Sequence, residues 1–221
     1  MNDRTRNYLV FVANPAVFGL GFNLVSPVTI LPVFASFLTD SNVLIGAIPP
    51  FVQLAFALPL IYGARYFEAR SYKVPQLVLI STAGRVVFLA FGGLVILADG
   101  RPAALLLGLF FGALFAFRAT NGFAYIAWAE AFSKIVHPRT RGRLMGVAQA
   151  LAGALAGVGV FVATRLMGSD PFPVGFGLVI IAAMLIMTSS HSLLLLLKEP
   201  PSPSVAPDPR PIWRAGGRIP D

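Results

Sequence analysis

Six long apolar segments separated by short polar breaks dominate this chain of 221 residues. They cover residues 8–37, 44–64, 75–98, 103–131, 144–165 and 172–197. About twenty helical residues cross the hydrocarbon core of a bilayer, so each segment is long enough to span one, and the longer ones leave room for tilt. Helix is the expected form, because lipid offers no partner to an unpaired backbone group. The segments do not alternate polar and apolar residues, as barrel strands would. The fold class expected is therefore all-α: a polytopic membrane protein whose membrane domain, residues 1–197, is a six-transmembrane-helix bundle.

Composition agrees. The chain is 57% hydrophobic and 12% charged, against about 25% charged in soluble domains. It has no cysteine, which excludes disulfides and thiolate metal sites. Arg4 and Arg6 precede the first segment like the start of a signal peptide, but the apolar run exceeds the ~7–15 residues of such a signal. It is read as a retained span.

The net charge of +8 does not indicate nucleic acid, because the basic residues fall in alternate breaks. Thirteen of the seventeen lie at the N-terminus, after span two, after span four, or beyond span six. The opposite side has only Arg101, in a break, and Arg165, at the end of span five. By the positive-inside rule both termini are cytoplasmic, and the expected location is the plasma (inner) membrane, multi-pass. From Lys198 to Asp221 the chain carries seven prolines, a density that blocks helix and sheet. Residues 198–221 are read as an extended, mobile tail or a truncated central linker.

The break after span four reads Trp128-Ala-Glu130, then Lys134, Pro138 and Arg141-Gly142-Arg143-Leu-Met-Gly146. This resembles the junction between the fourth and fifth helices of the major facilitator superfamily, closest to bacterial members of unassigned substrate. The end of span six, running into Lys198-Glu199-Pro200-Pro201, is similar to that family's sixth helix entering its central loop. The likeness covers about residues 10–201. It departs between spans two and three, where Gly63-Ala-Arg65-Tyr-Phe-Glu68-Ala-Arg70-Ser-Tyr-Lys73 keeps the glycine, acid and bases of the family signature but not their register. The resemblance implies that this chain is the N-terminal six-helix half of a twelve-helix carrier, with the solute held between halves. A second six-helix half or self-association is thus an expected partner.

Two arginines, Arg85 and Arg118, lie inside spans. A charge at that depth is costly and usually faces the bundle interior or a water-filled path. At 1.5 Å per residue, Arg85 is ~15 Å from Pro75 and Arg118 ~18 Å from Glu130, so the two fall at similar depth. No acidic residue shares that depth in any span. Arg118, Asn121, Gly122 and Tyr125 fall at helical spacing on one face. That face reads either as a solute pathway, with Arg118 pairing an anionic group, or as a structural arginine bonded to a buried carbonyl. The resemblance supports the pathway, since the family's first and fourth helices line its cavity. Arg85 is read as structural or gating, because the family's third helix is peripheral. Asn14, on a face with Phe18, Gly21 and Val25, and Gln53, near Pro49 and Pro50, are further pathway candidates.

Span five carries Gly142, Gly146, Ala150, Gly153, Ala154 and Gly157. The Gly153-x-x-x-Gly157 spacing permits close helix approach and is read as a packing face. Arg141 and Arg143 are assigned to topology and anionic lipid, and Glu130 to an i,i+4 pair with Lys134. His137 and His191 form no metal-ligand spacing, and no nucleophile or phosphate-loop motif occurs. Neither an enzyme nor a metal or other cofactor is expected. The leading functional expectation is transmembrane transport of a small solute, possibly anionic, by alternating access. The alternative is a non-transporting six-helix scaffold or a truncated product.

Overall fold

The computed structural model describes residues 3–68, 70–99, 101–168 and 171–200. Among them the protein is all-helical: α1 (Asp3–Leu24), α2 (Ile30–Ser36), α3 (Asn42–Glu68), α4 (Val74–Leu97), α5 (Ala103–Ile135), α6 (Pro138–Met167) and α7 (Phe176–Ser192). A kinked turn, Pro171–Gly175, leads into α7, and a 3₁₀ turn, Leu193–Leu196, leaves it. All but α2 belong to six helical stretches long and apolar enough to cross a membrane.

The first span departs from expectation. It breaks after Leu24, and the short α2 resumes at Ile30. Pro27 has no N–H to continue the helix. The Ser26 hydroxyl accepts bonds from the Val28 and Thr29 amides, at 3.4 and 3.3 Å, and so fixes the turn.

The packing order is α3 on α5, α5 on α4, α4 on α7, α7 on α1 and α1 on α6. This leaves α3 and α6 at the two edges. The starts of α1 and α4 lie at one end of the bundle with the end of α5, since Lys198 pairs with Asp3, the adjacent Glu199 accepts from the Lys73 amide, and Lys73 pairs with Glu130. Successive spans therefore alternate in direction. Exchanging α1 with α5, α3 with α6 and α4 with α7 reverses every direction and leaves the packing order unchanged. In packing order and direction the bundle has the pattern of two inverted three-span repeats.

Glycine sets several close crossings. A Cβ on Gly122 of α5 would overlap the Phe56 carbonyl of α3, and one on Gly63 of α3 would overlap Phe123 of α5. Gly92 of α4 and Gly177 of α7 face one another: a Cβ on Gly177 would stand 2.7 Å from the Gly92 oxygen. These approaches form the seams around the apolar cores. One core surrounds Phe34, Phe88, Phe110, Phe117 and Phe176. The other lies toward the termini, around Phe11, Phe67 and Leu77.

The glycines of span five behave otherwise. A Cβ on Gly142, Gly146, Gly153 or Gly157 would meet no heavy atom of another helix within 4 Å among the described residues. The packing face expected there meets no partner among the described residues. α6 lies at the edge, and the glycine that meets α1 is Gly159, near the Leu20 carbonyl.

Residues 198–200 also differ from a loose tail. Lys198 donates from its amide to Asn7 (3.3 Å) and from Nζ to Asp3 (3.0 Å). The Lys198 hydrogen bond holds the Asp3 carboxyl below the usual carboxylate range. The Glu199 carboxylate accepts from the amides of Lys73 and Val74, at 3.0 and 3.1 Å, where α4 begins. It satisfies donors that the first helical turn leaves without partners. The expected tail beyond Pro200 lies outside the described residues.

Candidate functional site

A cleft of about 260 Å³ opens where α1 faces α5. From α1 come Asn14, Pro15 and Phe18, and from α5 come Arg118, Asn121, Ala124, Tyr125 and Trp128. Phe56, Leu77 and His191 complete it from α3, α4 and α7. The expected α5 face of Arg118, Asn121 and Tyr125 is thus assembled in one place, with Asn14 opposite. Gln53 is not there. It sits on an exposed face of α3, because that edge helix turns Val52, Ala55 and Phe56 toward the bundle instead.

Arg118 is 8% exposed. Its Nε donates to the Val52 carbonyl at 3.3 Å. Its guanidinium lies against the rings of Phe22 and Phe56, 5.3 and 4.9 Å from their centroids. Such contacts hold a cation in place, at ~0.5–2 kcal/mol each. The backbone bond is the kind a structural arginine makes. It uses one of five donors, and both Nη groups remain without a hydrogen-bond partner among the described residues.

Arg85 belongs to the same assembly, behind the cleft wall. It is 1% exposed. Its Nη2 donates to Asn121 Oδ1 at 2.9 Å and lies 3.0 Å from His191 Nε2. A guanidinium has only donors, so the imidazole accepts at Nε2 and carries its proton on Nδ1. Nε and Nη1 of Arg85 are buried without partners. No ion pair reaches Arg85 or Arg118 among the described residues.

The amides of the cleft are largely committed. Asn121 spends Oδ1 on Arg85 and Nδ2 on the Phe117 carbonyl, 2.6 Å away. Asn14 donates to the Ser190 carbonyl and hydroxyl (3.0 and 2.9 Å) and accepts from Trp128 Nε1 (3.1 Å). The Ser190 hydroxyl returns a 2.7 Å bond to the Asn14 carbonyl. Asn14 thus acts as a tie between α1, α7 and α5. The donors left to meet a solute are the Arg118 fork, the second N–H of Asn121 and the hydroxyl of Tyr125, a residue 45% exposed.

His191 and Trp128 were not singled out for this site by sequence reasoning. His191 falls near the end of its span and matches no motif; only the fold turns it toward Arg85. Trp128 lay inside the loop resemblance, and its position three residues after Tyr125 was the available signal.

The remaining candidates lie toward the termini. Glu130 pairs with Lys134 at 2.6 Å, as the i,i+4 spacing predicts, and also with Lys73 across to the start of α4. Arg141 donates from Nε to the Val136 carbonyl (3.1 Å) and from Nη2 to the Ser133 carbonyl (2.6 Å), closing the end of α5. Arg143 is exposed and lines a separate, larger groove of about 950 Å³ with Arg139 and Tyr8. Gly153 and Gly157 are remote from the cleft, on the open face of α6.

Compared with known proteins, the chain matches no family model, no curated protein and no solved structure.

Proposed function

We propose that this protein is the N-terminal half of a secondary transporter of the major facilitator kind, carrying a small anionic solute across a membrane by alternating access. One observation carries the reading. A cleft within a bundle of membrane-length helices presents a cation with two uncommitted donor groups, and a second buried cation stands behind it. Neither has a counter-charge among the described residues. A buried charge is tolerated when paired, and a bound anion supplies the missing charge. The inverted three-span repeats support the same reading, because carriers of this kind nest such repeats within each six-helix half. So does the place of the cleft, between the first helix of each repeat.

In this reading the termini face the cytoplasm and the membrane is the plasma (inner) membrane, from the distribution of Lys and Arg. The partner is a second six-helix unit, another chain or another copy, closing the open side of the cleft near Tyr125.

The test is anion flux in proteoliposomes made with the longest native gene product, normalised to inserted protein. Arg118→Gln should abolish flux per molecule while insertion stays near normal, and Arg118→Lys should retain part, since lysine keeps the charge without the planar fork. If both changes lower abundance and leave flux per molecule intact, Arg118 is structural and the transport reading of this cleft fails.

A further inference from the structure

We propose that the anion taken by this cleft is a small aromatic monocarboxylate, with its carboxylate on Arg118 and its ring against Phe18, Phe56 and Trp128. This rests on the reading of the cleft as a solute path and adds the class of solute.

The charged end follows from the available donors. Arg118 offers two parallel Nη groups, and Tyr125 has a hydroxyl on the same helical face. A guanidinium fork matches the two oxygens of a carboxylate. Fixed by the Val52 carbonyl and by the rings of Phe22 and Phe56, it presents that fork without a large ordering cost.

The body of the solute follows from the walls. Asn14 has both N–H groups and Asn121 one N–H engaged with protein partners, and each side-chain oxygen already accepts one bond, so the walls offer few further partners and a polyol would leave most of its hydroxyls unpaired on burial. That costs ~1–3 kcal/mol for each group. Inorganic phosphate meets the same objection, since its further oxygens would face phenyl and indole walls. A flat ring instead meets Phe18, Phe56 and Trp128, and aromatic contacts add ~0.5–1.5 kcal/mol beyond area burial. The part of the path that this chain encloses, about 260 Å³, lies below the ~300–1,000 Å³ of sites for drug-sized ligands and accommodates a single ring on this side.

Trp128 supplies the readout. The chain has two tryptophans, and Trp213→Phe leaves Trp128 as the sole indole. With the full chain in lipid nanodiscs, benzoate should change Trp128 fluorescence saturably. Benzamide, the uncharged isostere, and inorganic phosphate should not. Arg118→Gln should raise the half-saturation concentration by at least about tenfold, and Arg118→Lys by less. Phe18→Ala removes apolar wall and no charge, so it keeps the test open if the arginine variants fold poorly; it should weaken benzoate by about tenfold. Calorimetry repeats each measurement without the fluorophore. If phosphate or gluconate binds in an Arg118-dependent way and benzoate does not, the aromatic class is wrong while the anionic cleft stands. Benzamide binding as well as benzoate also overturns the proposal. If no anion binds up to about 10 mM, weaker than any useful affinity, the proposal and the transport reading fall together.

Discussion

Arg85 of α4 donates from Nη2 to Oδ1 of Asn121 on α5, 2.9 Å away, and this bond places both intramembrane arginines in one assembly. Asn121 stands three residues beyond Arg118, so the same turn of α5 that offers a cation to the cleft accepts from the cation behind it. The arrangement is costly, because Nε and Nη1 of Arg85 stay buried without partners.

The first prediction separates the two members of that bond. Asn121→Leu leaves a buried guanidinium with one acceptor fewer and should destabilise the bundle by ~1–3 kcal/mol or more. Arg85→Met removes the charge with its desolvation cost but leaves Asn121 Oδ1 and His191 Nε2 without their donor, so it should cost less than Asn121→Leu. The double variant should recover most of the loss, giving a coupling energy of ~0.5–3 kcal/mol. Reversible unfolding of the four proteins in bicelles measures the cycle; additive effects would mean that the bond carries no coupling.

Two kinds of glycine should respond differently to a methyl group. Gly122→Ala drives a Cβ into the Phe56 carbonyl and should cost ~1–3 kcal/mol through overpacking. Gly153→Ala and Gly157→Ala meet open space and should leave the stability of a single chain unchanged or slightly raised, since alanine favours helix. The same unfolding assay checks both. A large loss at Gly153 in a monodisperse single chain would mean that the α6 face is covered.

That contrast shows what was legible in the sequence. The spans were, because length and apolarity are one-dimensional signals that a bilayer converts directly into helices. The shared face of Arg118, Asn121 and Tyr125 was too, because it needs only the period of one helix. The small-residue face of α6 was misplaced because Gly-x-x-x-Gly says where a neighbour can approach, and the fold decides whether one is there. Gln53 was misplaced for the same reason: which face of α3 turns inward depends on its edge position against α5. His191 was overlooked because its meaning is its contact with Arg85, 106 residues away in sequence.

Glu199 tests the dock at the terminal end of the bundle. Its carboxylate caps α4 through the amides of Lys73 and Val74. Glu199→Ala should cost ~0.5–2 kcal/mol, the range for a lost N-cap. Glu199→Gln keeps an acceptor but not the charge favoured at a helix N-terminus and should cost less. Amide exchange at Lys73 and Val74 reads the effect locally; unchanged protection in Glu199→Ala would show that another group caps the helix.

Orientation in the membrane can be tested without background, because the chain has no cysteine. Ser202→Cys, just beyond the docked residues, should stay unlabelled by an impermeant maleimide on intact cells and react after permeabilisation. Asp99→Cys, in the break after α4, should react from outside. The expectation follows from thirteen basic residues at the termini and the breaks on their side against Arg101 and Arg165 on the other. It also fixes the direction of the charge cluster: Lys73, Glu130, Lys134 and Glu199 would then close the cytoplasmic end, leaving Arg118 about twelve residues, or ~18 Å, deeper along α5. Labelling of Ser202→Cys from outside would invert the molecule and place that cluster at the outer mouth of the cleft.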